Sequence, residues 1–426
     1  MSSAVRIEKN TKIHLILLIT GILALAIGTP IVFKSDFLLS ILCQIGVMVI
    51  FALSYNMLLG QTGLLSFGHA VYYGLGAFGT IHFLNLISKS AFFPVTLLPV
   101  IGGICGLIVA TVLGYITTKK AGTTFSMISL GIAEMVHSCS LMFPSFFGGE
   151  GGISSNRVIG KPGLFGVTFG PQIELYFLIL AWVVVCAILM YALSRTPLGR
   201  MANAVRDNPE RAEFVGYNPQ RVRFLMLIIS GFFAGIAGGL TALNYEIVTA
   251  ETVGANTSGA VLLMTFVGGV GSFYGPMIGA ALITFMQIFI GGISKAWLFY
   301  FGLLFVLMVL FVPGGISSIL NTQILLWRRD QFFRLLPKYL LALLPFLLAL
   351  SGTIAIIEMA YLVMGNDTST TESIWRVFGL EIQATQLSSW LIASLLIAVG
   401  SYLFKWVWAK KIAPAWSAAQ QSIHQD

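Results

Sequence analysis

Glu134 and His137 stand three residues apart in an otherwise apolar stretch. On a helix that spacing puts a carboxylate and an imidazole on one face. At membrane depth such a pair can couple an ion to a solute or serve as an acid–base pair. Its plainer use is a structural hydrogen bond or ion pair between helices. As a functional group it would line a pathway for a small polar solute. Glu358 is the second carboxylate inside an apolar run, near one end of it, within reach of the interface. A second polar group lies in GQTGLLSFGHAVYYGLGAFG, residues 60–79, where Gln61, Ser66 and His69 stand among six glycines. Polar, glycine-rich backbone is tolerated inside a bilayer only where it is buried in protein or lines a cavity. His69 reads either as a satisfied core histidine or as a pathway group. No His, Cys, Asp or Glu cluster has metal-ligand spacing, and no nucleophile–base motif stands out.

Residues 195–223 carry a different chemistry. The segment RTPLGRMANAVRDNPERAEFVGYNPQRVR holds six arginines and three carboxylates between two apolar runs. Within it Asn208 to Gly216 is a short, complete helix signal. Asn208 suits the N-cap and Pro209 the first helical position. Glu210 favours the positive end of the helix dipole, and Gly216 suits the left-handed position after the last turn. Such a helix of about seven residues is marginal alone in water. It reads as an element that docks, with Phe214 and Val215 as the apolar contact and Arg206, Arg211 and Glu213 as directional ones. The plainer use is an amphipathic turn lying on lipid headgroups.

These groups must be positioned by membrane helices. The 426 residues are 57% hydrophobic and 9% charged, against roughly 25% charged in soluble domains. The net charge of +8 is scattered over short loops, a pattern of membrane topology rather than nucleic-acid binding. Cys43, Cys105, Cys139 and Cys186 all fall in apolar runs and read as small core residues. The chain is expected to be an all-α polytopic membrane protein. A crossing takes about 20 apolar residues, which places spans near 14–33, 37–59, 64–87, 94–117, 123–143, 174–194, 224–245, 257–270, 274–292, 296–313, 338–363 and 387–406. The first reads as a span, since its apolar run is longer than that of a signal peptide. Region 257–292 is ambiguous: one long tilted helix, or two segments broken at GGVGSFYGP. With a cytoplasmic N-terminus Lys119, Lys120 and the six-arginine loop fall inside; two crossings also bring Arg328, Arg329, Arg334, Lys338, Lys405, Lys410 and Lys411 inside, so the positive-inside rule favours two crossings and cytoplasmic termini.

Gly231, Gly235 and Gly239 recur every four residues in one span, and Gly271, Gly275 and Gly279 in another. That spacing lets helix backbones approach closely; a seam that slides during transport is compatible with it. GQTGLLSFG is echoed by GGVGSFYG at 268–275, as an internal repeat would be.

Three blocks carry a family resemblance: NMLLGQTGLLSFGHAVYYGLGAF from Asn56, the segment from Arg195 to Leu243, and GGVGSFYGPMIGAALI from Gly268. With them the chain resembles a membrane subunit of an ATP-binding-cassette importer of the high-affinity branched-chain amino acid type; urea and short-amide permeases share the blocks. The resemblance covers about residues 14–320. It implies a permease core of about ten spans, residues 1–325, followed by an extension, residues 326–426, with two further spans. It implies that Asn208 to Gly216 is the helix that fits a groove in an ATPase subunit, with alternating access as the mechanism. The chain has no G-x-x-x-x-G-K-[ST] phosphate loop: Gly160-Lys161 is followed by Pro162 and lacks the upstream glycine. No cofactor is expected in this chain, and ATP would bind the partner. The implied partners are ATPase subunits, a second permease and a periplasmic binding protein, with membrane lipid around them in a bacterial inner membrane and no nucleic acid. The chain would then be a transporter subunit and not an enzyme. Two other readings remain. An ion-coupled secondary transporter would rely on Glu134; an intramembrane enzyme would rely on Glu134 and His137.

Overall fold

The computed structural model describes Gly28 and residues 35–87, 93–158, 168–328, 332–365, 374–377, 380–383 and 386–417. Apart from Gly28, the expected span at 14–33 lies outside the described residues, as does the polar loop at 366–373. Among those described, nine helices are long and apolar enough to cross a bilayer, and a bent pair makes a tenth. The chain is an all-α polytopic membrane protein. It divides into two compact units, Met1–Met286 and Gln287–Asp426.

In the first unit the helices are α1 Asp36–Thr62, α2 His69–Ile87, α3 Leu98–Thr117, α4 Gly122–Met142, the single turn α5 Pro144–Phe147, α6 Gln172–Arg195, α7 Pro197–Asp207, α8 Pro209–Phe214, α9 Pro219–Tyr245, α10 Ala255–Gly268 and α11 Gly275–Ile293, whose last residues enter the second unit. α9 is the central helix and packs on α1, α2 and α3. Its glycine stripe explains why. A Cβ on Gly235 would strike the carbonyl oxygen of Gly102, one on Gly231 would press on the Ala110 methyl at 2.5 Å, and one on Gly239 would meet the Thr80 hydroxyl at 2.8 Å. Without side chains there, α9 and α3 lie backbone to backbone, which maximises dispersion contact where lipid offers no hydrophobic drive. Gly235→Val should therefore cost about 3 kcal/mol through overpacking; the check is the yield of monodisperse protein in detergent, which should collapse while Gly131→Val, at an open position, leaves it unchanged.

Region 257–292 forms two helices. α10 ends at Gly268, Gly269 adopts φ 110°, and α11 starts at Gly275. The two run antiparallel at their near ends: a Cβ on Gly279 would lie 2.7 Å from the Gly268 nitrogen, and one on Gly275 would lie 2.8 Å from the Gly268 oxygen. Gly275 and Gly279 thus lie close against the end of α10. Gly271 does not; it sits in the turn with open space around it. The spacing of four counts only within a continuous helix, and the chain breaks between Gly269 and Gly275. α10 has 14 residues, about 21 Å, too short to cross alone. The expected span 64–87 also starts later, at His69, because Gly63 at φ 70° turns the chain out of α1.

The second unit holds α12 Trp297–Phe311, α13 Gly315–Arg328, α14 Phe332–Gly365 and α15 Leu387–Val407. Hydropathy did not announce α13. Pro313 disfavours helical geometry at Val312, and α13 leaves α12 at a bend of 52°. α14 and α15 pack where Gly352 faces the Ala393 carbonyl and Gly400 faces Ala349. Glu358 lies in α14. It is buried, and its Oε1 accepts hydrogen bonds from the Ser294 hydroxyl at 2.5 Å and the Tyr300 hydroxyl at 2.7 Å. Two donors converging on one acceptor are left unsatisfied when it is removed. Glu358→Ala should cost about 2 kcal/mol, seen as a lower midpoint of thermal unfolding, whereas Glu358→Gln retains the acceptor and most of the stability.

Candidate functional site

The break after α1 is a backbone held at depth by side chains. Gly63 turns the chain, residues 63–66 run irregularly, and α2 begins at His69. No helix serves the polar groups of this stretch, so neighbours must. Tyr55 donates its hydroxyl to the Ser66 carbonyl at 3.0 Å, and Ser126 donates to the Leu65 carbonyl at 2.8 Å. The Ser129 hydroxyl accepts from the Phe67 amide and the Ser258 hydroxyl from the Ala70 amide, both at 3.0 Å. α1, α4 and α10 thereby clamp one loop. Gly68 is needed because a Cβ would strike the Ser129 carbonyl.

His69 is fully buried at the start of α2. Its ring stacks on Phe51, with centroids 5.6 Å apart, and meets Tyr55 and Tyr72 edge-on. Nε2 lies 3.1 Å from the Ser54 hydroxyl, which donates to the Phe51 carbonyl at 2.7 Å. With its proton so used, Ser54 accepts, and the proton of His69 belongs on Nε2. Nδ1 is then a bare acceptor and has no partner among the described residues; the same holds for Ser66 Oγ and Gln61 Oε1. The polar segment thus holds three buried polar atoms without partners among the described residues.

Glu134 and His137 are not brought together. His137 Nδ1 bonds to the Ala250 carbonyl at 3.2 Å, which ties α4 to the 3-10 turn Ala250–Val253. Glu134 is exposed on the surface of the chain. The three-residue spacing placed both on one helix, but the neighbouring turn outcompetes the carboxylate for the imidazole.

Three capped helices follow one another in the polar loop, each opened by a cap residue and a proline. Thr196 caps α7, Asn208 caps α8 and Asn218 caps α9. Asn208 Oδ1 accepts from the Arg211 amide at 2.9 Å. At the far end of α8 the Gly216 amide donates to the Glu213 carbonyl at 2.8 Å and the Tyr217 amide to the Ala212 carbonyl at 3.1 Å, with Gly216 at φ 93°. α8 has six residues, Val215 being its C-cap. Ala212 is buried, while Phe214 is 91% and Val215 70% exposed beside the exposed Glu210, Arg211 and Glu213. An apolar pair bared at the tip of a charged loop is an unpartnered contact surface. Arg206 does not belong to it. Its guanidinium donates to the Gly60 carbonyl and pairs with Asp207 at 2.9 Å, and its methylenes lie against Gly63. The loop is therefore joined to the chain break at the end of α1.

At the opposite end of the unit lies a residue that the sequence did not single out. Arg157 is buried, and its guanidinium donates to the carbonyls of Phe169, Leu243, Asn244 and Gly170 and to Gln172 Oε1, at 2.6 to 3.3 Å. Its acceptors come from the start of α6 and the last turn of α9, and no local sequence signal announces them.

The family model for the branched-chain amino acid transport system permease component matches residues 37–313. The chain is 28% identical to the high-affinity branched-chain amino acid transport system permease protein LivM of Escherichia coli over 72% of its own length and 76% of the relative's. It is 23% identical to the corresponding permease protein BraD of Pseudomonas aeruginosa, over 62% and 89%. A fructose import permease protein, FrcC of Rhizobium meliloti, is 27% identical over 43% and 54%. No solved structure matches.

Proposed function

The chain belongs to the branched-chain amino acid transport system permease family, and we propose that it is the membrane subunit of an ATP-driven importer that works by alternating access. Its solute is a branched-chain amino acid or a related small polar molecule. α8 is the docking element for a separate ATPase subunit, through Phe214 and Val215 with Arg211, Glu210 and Glu213 around them. Arg206 carries the motion inward, because it links α7 to Gly60 at the end of α1. A rigid shift of the loop then displaces the chain break at 63–68, where Ser66, His69 and Gln61 stand. Differential binding of the ATPase to two states of the loop is what moves the equilibrium. A second permease and a periplasmic binding protein complete the machine, and residues 326–426 form an extension to the core. The termini face the cytoplasm.

The observation that carries this reading is the capped helix with its apolar pair bared to solvent. The relatives are permease proteins of transport systems, and the ion-coupled alternative through Glu134 is not favoured. The test is uptake by proteoliposomes holding the chain with its co-purified subunits. Uptake that requires ATP supports the reading; uptake driven by an ion gradient, with no ATPase present, overturns it.

A further inference from the structure

Seven cations of the second unit stand, in the sequence, beside two helix ends. Reading the sequence, Arg328, Arg329, Arg334, Lys338, Lys405, Lys410 and Lys411 flank the start of α14 and the end of α15, with Asp330 as the one acid among them. The stretch between these two helices carries Asp367, Glu372 and Glu381 against Arg376. The packing confirms that the basic ends meet. Leu326 of α13 and Leu335 of α14 share a cluster with Ala415 and Trp416, and Ala342 of α14 shares one with Val407 and Ile412.

The end of α15 has a particular geometry. Helix continues from Leu387 to Ser417, 31 residues, about 46 Å against about 30 Å of hydrocarbon. Lys405 lies about 27 Å along it, and Lys410 and Lys411 about 8 Å further, a length greater than the hydrocarbon thickness. Residues 408–412 form a π-turn. That wide turn keeps Val407 and Ile412, five residues apart, on the same face toward Ala342. Trp408, Lys410 and Lys411 are exposed around it, as are Lys405 and Trp406. The Lys410 ammonium sits 5.0 Å above the Trp406 ring.

We propose that this surface binds anionic phospholipid of the cytoplasmic leaflet. Lys405, Lys410 and Lys411 hold the phosphate, and Trp406 and Trp408 seat against the glycerol–ester region, where tryptophan is at home. The lysines sit where the bilayer's own negative charge lies, and tryptophan rings flank them at the depth of the lipid esters. A soluble anion would have no use for those rings. A site on α15 also explains an extension that the family match, which ends at residue 313, does not include.

The test is native mass spectrometry of the full-length protein in neutral detergent, titrated with phosphatidylglycerol or phosphatidylcholine. Phosphatidylglycerol should be retained in preference, and 0.5 M salt should weaken it. Each lysine near the surface contributes about fivefold, so the combined K405Q, K410Q and K411Q variant should lose more than tenfold. The K405R, K410R and K411R variant should retain binding, which separates loss of charge from loss of fold. Equal retention of the two lipids, undiminished phosphatidylglycerol binding by the glutamine variant, or displacement of the lipid by a co-purifying acidic protein would each overturn the proposal. ATP-driven uptake is measured on the same preparations, so failure of the lipid site is distinguishable from failure of the transport reading.

Discussion

A Gly-Pro insertion after Ala212 should abolish the proposed ATP-driven uptake and leave the protein in the membrane. α8 spans six residues, about 9 Å, too short to hold itself in water. It persists because Asn208 caps one end and the Gly216–Tyr217 turn closes the other. A proline within it removes an amide donor and clashes with the preceding turn, at about 3 kcal/mol or more, which exceeds what a single cap supplies. The insertion also rotates Phe214 and Val215 away from Glu210 and Arg211, so any surface complementary to them loses its register. The apolar spans are untouched, and insertion into the bilayer depends on those. Uptake by proteoliposomes should fall to background, with the amount of protein in the membrane fraction unchanged. Asn208→Ala, costing about 1 kcal/mol, should lower uptake only severalfold. Glu213→Lys should match the insertion, since it reverses a directional contact without touching either cap. Normal uptake by the insertion variant would remove α8 from the coupling route.

The parts of the fold that hydropathy governs were legible. Hydrocarbon imposes a length and a composition on anything that crosses it, and the described spans fall close to where those two constraints put them. The cap at Asn208-Pro209 was legible for a local reason: N-cap and proline act within one turn. The same signal at Thr196-Pro197 opens α7, which the sequence reading passed over. α7 is amphipathic rather than apolar, with Gly199, Ala202 and Val205 buried and Arg200 and Arg206 exposed, so a search for apolar runs does not see it. Side-chain partners were least legible. Glu134 and His137 share a helix, yet the acceptor for His137 lies 113 residues away. Arg206 was read as a directional docking contact, yet its guanidinium donates to the Gly60 carbonyl, 146 residues back. Gly271 shows the limit of spacing arguments, since a period of four carries meaning only inside one helix.

Arg157→Met should cost about 3–5 kcal/mol, the largest loss from a single side chain outside the glycine seam. A buried charge is ordinarily balanced by another charge. Here the guanidinium is met by five neutral acceptors from three directions: Phe169 and Gly170 ahead of α6, Gln172 at its start, and Leu243 and Asn244 in the last turn of α9. The last carbonyls of a helix lack internal partners and carry its negative dipole, so α9 supplies both acceptors and field. The Arg157 amide adds a bond to Glu246, which closes α9 at φ 56°. Methionine fills a similar length and donates nothing, and each buried acceptor so abandoned costs about 1–3 kcal/mol; relaxation of the loop recovers part of the total. Lysine should rescue little, because a point charge on a flexible stem cannot serve acceptors on three sides as a planar fork does. The thermal midpoint in detergent should drop by roughly 10 °C, and limited proteolysis should open the segment between α5 and α6 before any other. If the midpoint moves by less than about 2 °C, the described stretches on either side are held by the Ile153–Val248 and Ser154–Ile247 pairing and by the Glu174 carboxylate that accepts from the Thr168 and Phe169 amides, with Arg157 only filling space.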